Sequence, residues 1–154
     1  MEKKQVLIIL GSKSDIEAVS GCGELLEEFG VKYRQEVSSA HRQPTGTIAL
    51  VKQAENDGVK VIIAAAGMAA HLPGVVASHT TLPVIGVPLA GSALNGVDSL
   101  YSIVQMPAGV PVATMAIGSH GARNAAIMAV EILALADSGL KSKLIEYRRE
   151  LAQE

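Results

Sequence analysis

The sequence predicts an α/β protein in which helices cover both faces of a five-stranded parallel sheet. Short apolar runs rich in β-branched residues alternate with longer segments of helical pattern. Apolar residues make up 49% of the chain and aromatic residues only 3%, as in parallel sheets packed by Val, Ile, Leu, Ala and Gly. No linker, repeat or low-complexity tract divides the sequence, so we expect residues 1–154 to form a single domain.

The first half of the chain is expected to hold three strands and two helices. The strands cover residues 5–10, 31–37 and 59–66, and the helices run from residue 14 or 15 to 28 and from 45 to 56. Gly30 stops the first helix, because glycine readily adopts the left-handed conformation that ends helices. The third strand is apolar except for Lys60, which predicts a central strand buried on both faces.

The second half continues the alternation. We expect a loop over 67–74, a short helix over 75–79, a strand over 82–87, a loop and helix over 90–105, a strand over 110–116, and helices over 121–137 and 140–153. Pro88 is placed just past the fourth strand, because proline cannot donate a hydrogen bond in a sheet. Asp98 or Ser99 is the expected cap of the helix in 90–105, and Ser138-Gly139 the break before the last helix.

This order of elements implies a flavodoxin-like three-layer sandwich with strand order 2-1-3-4-5 and an additional C-terminal helix. The connections between parallel strands are expected to be right-handed. In such sheets ligands bind beyond the carboxyl ends of the strands, where the strand order reverses. That point lies between the first and third strands, so the segments that follow strands 1, 2 and 3 are candidate sites.

Charge and cysteine content narrow the classes of function. The chain has 13 Lys and Arg against 15 Asp and Glu, a net charge of −2, which does not support nucleic-acid binding. Cys22 is the only cysteine, so no disulfide can form within the chain, as is usual in a reducing compartment. No apolar run is long enough to span a bilayer. We therefore expect a cytoplasmic protein without a membrane or nucleic-acid partner.

The segment Ser38-Ser39-Ala40-His41-Arg42-Gln43-Pro44 follows the second strand. Imidazole transfers protons near neutral pH, and guanidinium binds phosphate or carboxylate through two parallel hydrogen bonds. His41 beside Arg42 therefore predicts an enzyme that acts on a small anionic molecule. The alternative interpretation is a polar loop with solvated side chains.

The segment Gly11-Ser12-Lys13-Ser14-Asp15 follows the first strand. Ser12 and Ser14, with the free N–H groups of a helix start, can hold a phosphate, and Asp15 can accept hydrogen bonds from ribose hydroxyls. The spacing matches neither a Walker loop nor the dinucleotide-binding fingerprint. The alternative is ordinary helix capping by Ser14 or Asp15.

The segment Gly67–Gly74 follows the third strand and is rich in small residues, which let a ligand approach the backbone. A neutral His71 can donate a hydrogen bond to a substrate carboxylate; the alternative is a structural histidine bonded to the backbone. The four histidines lack metal-ligand spacing, so we expect no metal site.

Residues 94–111 are apolar yet rich in turn-forming residues, with Pro107 and Pro111 on either side of Gly109. Burial of this segment between subunits would explain its composition. The alternative is a helix packed on its own sheet and followed by a rigid loop.

Five segments, in this order, resemble the class I N5-carboxyaminoimidazole ribonucleotide mutases of the AIR carboxylase family, enzymes of purine biosynthesis. They are GSKSD at 11–15, SAHRQP at 39–44, AAHLPG at 69–74, GVDSLYSIVQMPAGVPVAT at 96–114 and AIGSHGARNAA at 116–126. The resemblance runs from about residue 6 to about residue 135. It implies a homo-octamer and an isomerase that moves a carboxylate from the exocyclic nitrogen of a small ribonucleotide to carbon 4 of its imidazole, without metal or organic cofactor.

The resemblance also implies roles for single residues. It implies that carbon dioxide is released within the closed site and captured by carbon 4, and that His41 is the catalytic histidine. We expect neutral His41 to be the general base and acid of both half-reactions, because imidazole transfers protons near working pH. The substrate-binding residues implied are Ser12, Ser14, Ser39 and Arg42 for the phosphate, Asp15 for the ribose, and Gly67, Ala69, Ala70, His71 and Leu72 in the substrate loop, where His71 faces the carboxylate. Met68 stands where the family often has glycine, and Gln43 where it often has threonine.

Three alternatives stay open. A related class II enzyme carboxylates aminoimidazole ribonucleotide directly with carbon dioxide, but it typically has lysine in place of Arg42 and lacks the HLPG sequence of residues 71–74. A flavodoxin-type module that binds flavin or another nucleotide is the second, although no Trp and no well-placed Tyr can stack on a flavin. The third is a structural oligomer with a degenerate site, against which the joint presence of His41, Arg42, Asp15 and Ser12 argues.

Overall fold

The computed structural model describes residues 3–153, and within them five parallel strands form one sheet. The strands are β1 (Val6–Leu10), β2 (Tyr33–Val37), β3 (Val61–Gly67), β4 (Val84–Leu89) and β5 (Ala113–Thr114). The helices are α1 (Ile16–Phe29), α2 (Pro44–Asn56), α3 (Leu72–Ala77), α4 (Val97–Val104), α5 (Ser119–Ala134) and α6 (Ser138–Leu151), and a 3-10 turn over Lys13–Asp15 precedes α1. The strand order is β2-β1-β3-β4-β5, which confirms the predicted flavodoxin-like sandwich and its C-terminal helix.

The core lies in two layers on either side of the sheet. Alternate residues of a strand point to opposite faces, so Val6, Ile8 and Leu10 pack with α1 and α5, whereas Leu7 and Ile9 pack with α2, α3 and α4. All residues of β1 and β4 are buried, as expected of central strands in a parallel sheet. Burial raises the pKa of the Cys22 thiol to about 12, which is consistent with a packed, unreactive side chain.

The register brings the carboxyl ends of three strands to one edge. Leu10 pairs with Val37 of β2 on one side and with Ala65 of β3 on the other. The segments that follow β1, β2 and β3 therefore leave the sheet side by side, as the strand order predicted.

Pro88 lies within β4 and not beyond its end, so this expectation was wrong. Its carbonyl accepts a hydrogen bond from Gly118 N (2.8 Å). The carbonyl of Gly86, on the same side of the β4 strand, accepts one from Met115 N (2.9 Å). The backbone groups of residue 88 therefore point away from β3. Because β5 pairs only with Ile85 and Gly86, the missing N–H of Pro88 costs the sheet no hydrogen bond.

Other predicted boundaries also differ, among them those of α5, expected over 121–137, and of β5, expected over 110–116. The starts of two helices have a local explanation. Helix α3 begins at Leu72, three residues earlier than expected, because Pro73 suits the first turn of a helix. Helix α6 begins at Ser138, where Asp137 Oδ1 accepts a hydrogen bond from Leu140 N (3.0 Å), so Ser138 and Gly139 start a helix where a break was expected.

The cap of α4 is Gly96, in the left-handed conformation with φ 89°, and neither Asp98 nor Ser99. The hydroxyl of Ser99 is buried within the helix and contacts the carbonyl oxygens of Leu89 and Gly96, both at 2.8 Å. No helix within residues 3–153 is long and apolar enough to cross a membrane.

Candidate active site

A cavity of about 520 Å³ opens at the sheet edge where β1, β2 and β3 end. It is lined by Gly11, Ser12, Ser14, Asp15, Ser39, Ala40, His41, Arg42, Ala66, Gly67, Met68, Ala69, His71, Leu72 and Gly91. Every residue that the sequence proposed for the site lines this cavity except Ala70. The side chain of Ala70 is fully buried, and its backbone N–H donates to the carbonyl of Met68 (2.8 Å). Ala70 therefore packs in the core and stabilises the loop without lining the cavity.

The first wall of the cavity is the turn between β1 and α1. Ser14 donates to Ser12 Oγ through its hydroxyl (3.0 Å) and through its backbone N–H (3.4 Å). Ser12 thus caps the 3-10 turn, and its own hydroxyl proton is not used by these two bonds. A group that accepts hydrogen bonds, such as a phosphate oxygen, fits this position.

Asp15 lies at the base of the same turn and is partly buried. Burial raises the pKa of its carboxyl group above the ordinary value, and a backbone hydrogen bond from Ser12 opposes part of that rise. The carboxylate is therefore incompletely solvated. Hydroxyl groups of a ligand that replace the lost water would favour its charged form.

The second wall is the turn over residues 38–43, between β2 and α2. The backbone N–H of Gln43 donates to the carbonyl of Ser39 (2.8 Å), which closes one turn around His41 and Arg42. Ser39 Oγ accepts from Arg42 N (3.2 Å) and from Arg42 Nε (3.3 Å). Within residues 3–153 the guanidinium of Arg42 forms no ion pair with a carboxylate, so its remaining N–H groups are available to an anion in the cavity.

His41 and His71 meet at one side of the cavity. His41 Nε2 lies 2.7 Å from His71 Nδ1, and the rings pack edge to face with centroids 4.8 Å apart. A bond between two ring nitrogens holds one proton between them, so one ring donates and the other accepts. The sequence suggested no contact between these residues, because they lie 30 positions apart; only the register of β2 and β3 against β1 brings them together.

The third wall is the loop after β3. Gly67 ends the strand against β4, where a Cβ would lie 3.2 Å from the carbonyl oxygen of Leu89. Met68 follows with φ 53°, a left-handed conformation that glycine adopts more easily, and its side chain is 59% exposed. The methionine noted in the sequence as a departure from glycine therefore sits where the backbone favours glycine.

Sequence reasoning missed several lining residues that contribute little besides backbone. Gly11, Ala40, Ala66 and Gly91 are small and carry no chemical signal, and Gly91 reaches the cavity from β4, whose end had not been considered. The lining contains no Phe, Tyr or Trp, which does not support the flavin-binding alternative. Within residues 3–153 no group of three or more His, Cys, Asp and Glu residues is arranged to hold a metal ion.

Comparison with known proteins agrees with this architecture. The family model described as AIR carboxylase matches residues 5–154. The N5-carboxyaminoimidazole ribonucleotide mutase of Pyrococcus horikoshii is 52% identical over 150 residues, which make up 97% of this chain and 84% of that protein. The mutase of Escherichia coli strain K12 is 49% identical over 97% of this chain and 89% of its own, and that of Bacillus subtilis strain 168 is 53% identical over 95% and 90%.

Among solved structures, the crystal structure of Treponema denticola PurE superposes with a TM-score of 0.88 at 29% identity and covers 96% of this chain and 91% of that one. Fold and site together define a flavodoxin-like α/β protein with a histidine and an arginine in a cavity beyond the carboxyl ends of β1, β2 and β3. The full-length match is more specific than the fold, and the chain belongs to the AIR carboxylase family.

Proposed function

We propose that the chain is an N5-carboxyaminoimidazole ribonucleotide mutase, an isomerase of purine biosynthesis. The observation that carries the proposal is that His41, Arg42 and the Ser12–Asp15 turn open onto one cavity in a chain about 50% identical to several such mutases. A proton-transfer group next to an anion site is what a carboxylated, phosphorylated substrate requires. Residues 1–154 act as one domain of the AIR carboxylase type.

The phosphate of the ribonucleotide binds between two of the cavity walls. Ser12 and Ser14 come from the β1–α1 turn, and Ser39 and Arg42 from the β2–α2 turn. The open hydrogen-bonding positions of Ser12 and Arg42 support this assignment. Asp15, which lies deeper in the first turn, accepts from the ribose hydroxyls.

The imidazole of the substrate lies against the loop after β3. Gly67, Ala69 and Leu72 present a close, uncharged surface to the ring, and Ala70 supports that loop from the core. His71 faces the migrating carboxylate, where a ring N–H can donate to it. The small side chains at Gly67 and Ala69 support close approach of the ring to the backbone.

The proton balance of the reaction requires one group that donates a proton and then removes one. When the N–C bond to the carboxylate breaks, its electron pair stays on nitrogen, which takes up one proton as carbon dioxide leaves. When carbon 4 then attacks carbon dioxide, it loses one proton. His41 donates the first proton to nitrogen and removes the second from carbon 4, so it returns to its starting protonation state without metal or organic cofactor.

The proposed assembly is a homo-octamer in the cytoplasm. Its support is an exposed apolar stripe formed by Leu94, Val97, Tyr101 and Val104, which recur at spacings of three and four residues along α4 and the turn before it. Tyr101 is 64% exposed in the monomer, and a second subunit on this stripe would bury it.

An assay without ATP tests the proposal. The purified chain is incubated with N5-carboxyaminoimidazole ribonucleotide, and formation of the carbon 4 carboxylate is followed against the rate without protein. We expect rapid conversion in both directions. A chain that does not accelerate conversion in either direction would contradict the proposal.

A further inference from the structure

We propose that the buried hydroxyls of Ser38 and Thr47 form a relay that positions His41 and Arg42, an inference that rests on the proposed function. Both residues lie outside the cavity lining. Ser38 begins the predicted segment 38–44 but was given no role, and Thr47 was not named. Ser38 is 7% exposed and Thr47 fully buried, although both carry hydroxyl groups. Buried hydroxyls lower stability unless they are hydrogen-bonded, so their partners matter.

The direction of the relay follows from proton counting. Thr47 Oγ1 donates its single proton to the backbone carbonyl of Gln43 (3.1 Å). Its contact with Ser38 Oγ (2.7 Å) must therefore be one in which Ser38 donates and Thr47 accepts. The order is Ser38 hydroxyl to Thr47 hydroxyl to Gln43 carbonyl, with every proton used.

The relay joins the two ends of the catalytic turn. Ser38 immediately precedes residues 39–42 and is anchored to β1, because its N–H donates to the carbonyl of Leu10 (2.9 Å). Gln43 immediately follows them, and its carbonyl also accepts from Thr47 N (2.9 Å). Residues 39–42 are thus held between the sheet and the first turn of α2.

Exposed side chains on a short turn need such support. His41 and Arg42 are exposed. The contact of His41 with His71 involves only side chains, and the backbone N–H of Arg42 donates to Ser39 Oγ within the same turn. A small displacement of catalytic groups lowers the rate strongly, because proton transfer and anion binding depend on geometry. Ser38 and Thr47 are therefore positioning residues that act through the backbone of the turn.

The test compares variants that keep or remove the hydroxyl. Thr47→Val preserves shape but leaves Ser38 without an acceptor, whereas Thr47→Ser keeps the relay. We expect Thr47→Val to lower kcat and to raise KM, with kcat/KM reduced about tenfold, because His41 and Arg42 move together. We expect Thr47→Ser to stay within about twofold of the wild type. Thr45→Val, on the exposed face of the same helix, is the matched control and is expected to leave both constants unchanged.

The double variant Ser38→Ala/Thr47→Val removes both partners and is expected to be no worse than Thr47→Val alone, because groups in one network are not additive. Three results would overturn the proposal. The first is equal impairment by Thr47→Val and Thr47→Ser, and the second is additive losses in the double variant. The third is normal kcat and KM in Thr47→Val at a temperature where that variant is fully folded.

A second readout separates this proposal from the proposed function. Amide hydrogen exchange of the intact protein is expected to quicken over residues 38–43 in Thr47→Val and to stay unchanged in α6. If the wild type lacks mutase activity, the proposed function fails while this exchange still tests the relay. Unchanged exchange over residues 38–43 would contradict the relay itself.

Discussion

The hydrogen bond between His41 and His71 makes the catalytic assignment a choice between two residues. Both rings line the cavity and share one proton across 2.7 Å. His41 lies on the same turn as Arg42, and His71 lies beside the small residues of the substrate loop. Their positions therefore favour His41 for proton transfer near the anion site and His71 for holding the carboxylate.

Replacing each histidine by asparagine distinguishes the two roles. We expect His41→Asn to lower kcat by at least about a hundredfold while substrate still binds, because an amide cannot transfer protons. His71→Asn can still donate a hydrogen bond and is expected to retain most of kcat with a raised KM. Steady-state kinetics of both variants check this, and a near-normal kcat in His41→Asn with a lost kcat in His71→Asn would exchange the roles.

We expect Asp15 to affect both substrate binding and stability. Its pKa is raised by burial, so the ionised carboxylate lowers the free energy of unfolding at pH values above its folded pKa. This penalty disappears as the pH falls below the ordinary value of 3.8, where the group is protonated in both states. The free energy of unfolding therefore falls as the pH rises from the ordinary pKa of 3.8 to the higher pKa of Asp15 in the folded state.

We expect Asp15→Asn to unfold at higher denaturant concentration than the wild type at pH 7, and to lose that advantage near pH 3. The same variant is expected to bind substrate more weakly, because the charged acceptor for the ribose is gone. Urea titrations at both pH values test this, with Glu28→Gln at an exposed position of α1 as the control. A stability difference that does not change with pH would contradict the burial argument.

At the scale of elements, hydrophobic pattern and turn residues predicted most of the fold. The apolar runs located all five strands to within a few residues, and the strand order followed from alternation with helices. Pro73 and Asp137 are local signals that set the starts of α3 and α6, whereas two other errors came from tertiary contacts that no local pattern carries. Pro88 is tolerated inside β4 because β5 is short, and Gly96 caps α4 because the chain reverses there.

The site was predictable only in part for the same reason. Its polar residues stood out in the segments after β1, β2 and β3. The contact between His41 and His71, and the support that Thr47 gives to Gln43, depend on register and burial. Ala70 belonged to the right segment but points into the core.

The start of α5 depends on the absence of a side chain at Gly121. A Cβ there would overlap the backbone carbonyl of Ala116, which cannot move as a flexible side chain could. We expect Gly121→Ala to lower the free energy of unfolding by about 2 kcal/mol or more. Gly46→Ala, in the first turn of α2, has no neighbour closer than 3.9 Å and is expected to raise it by about 0.5–1 kcal/mol. Equal effects in chemical denaturation would contradict this account.

At the scale of the whole molecule, the exposed stripe on α4 predicts assembly. Tyr101 and Leu94 are its most exposed members, at 64% and 61%. We expect light scattering of the wild type at micromolar concentration to report an octamer. Tyr101→Glu is expected to give smaller species, because a carboxylate would be buried without a partner. A wild-type monomer would contradict the proposed assembly, and an unchanged octamer in Tyr101→Glu would exclude the stripe from the contact.

The proposed mutase transfers the substrate's own carboxylate, whereas a direct carboxylase captures dissolved carbon dioxide. Both routes give the same product, and the family model described as AIR carboxylase does not separate them. In a mutase, carbon dioxide stays in the cavity between its release from nitrogen and its capture by carbon 4. The origin of the carboxyl carbon therefore separates the two reactions.

The most direct measurement supplies N5-carboxyaminoimidazole ribonucleotide with a ¹³C-labelled carboxylate in unlabelled bicarbonate buffer without ATP, and determines the label in the product by mass spectrometry. We predict that the carbon 4 carboxylate retains most of the ¹³C during the first turnovers, and that His41→Asn forms product at least about a hundredfold more slowly. A product that carries mainly unlabelled carbon from the buffer would contradict the account and identify the chain as a direct carboxylase.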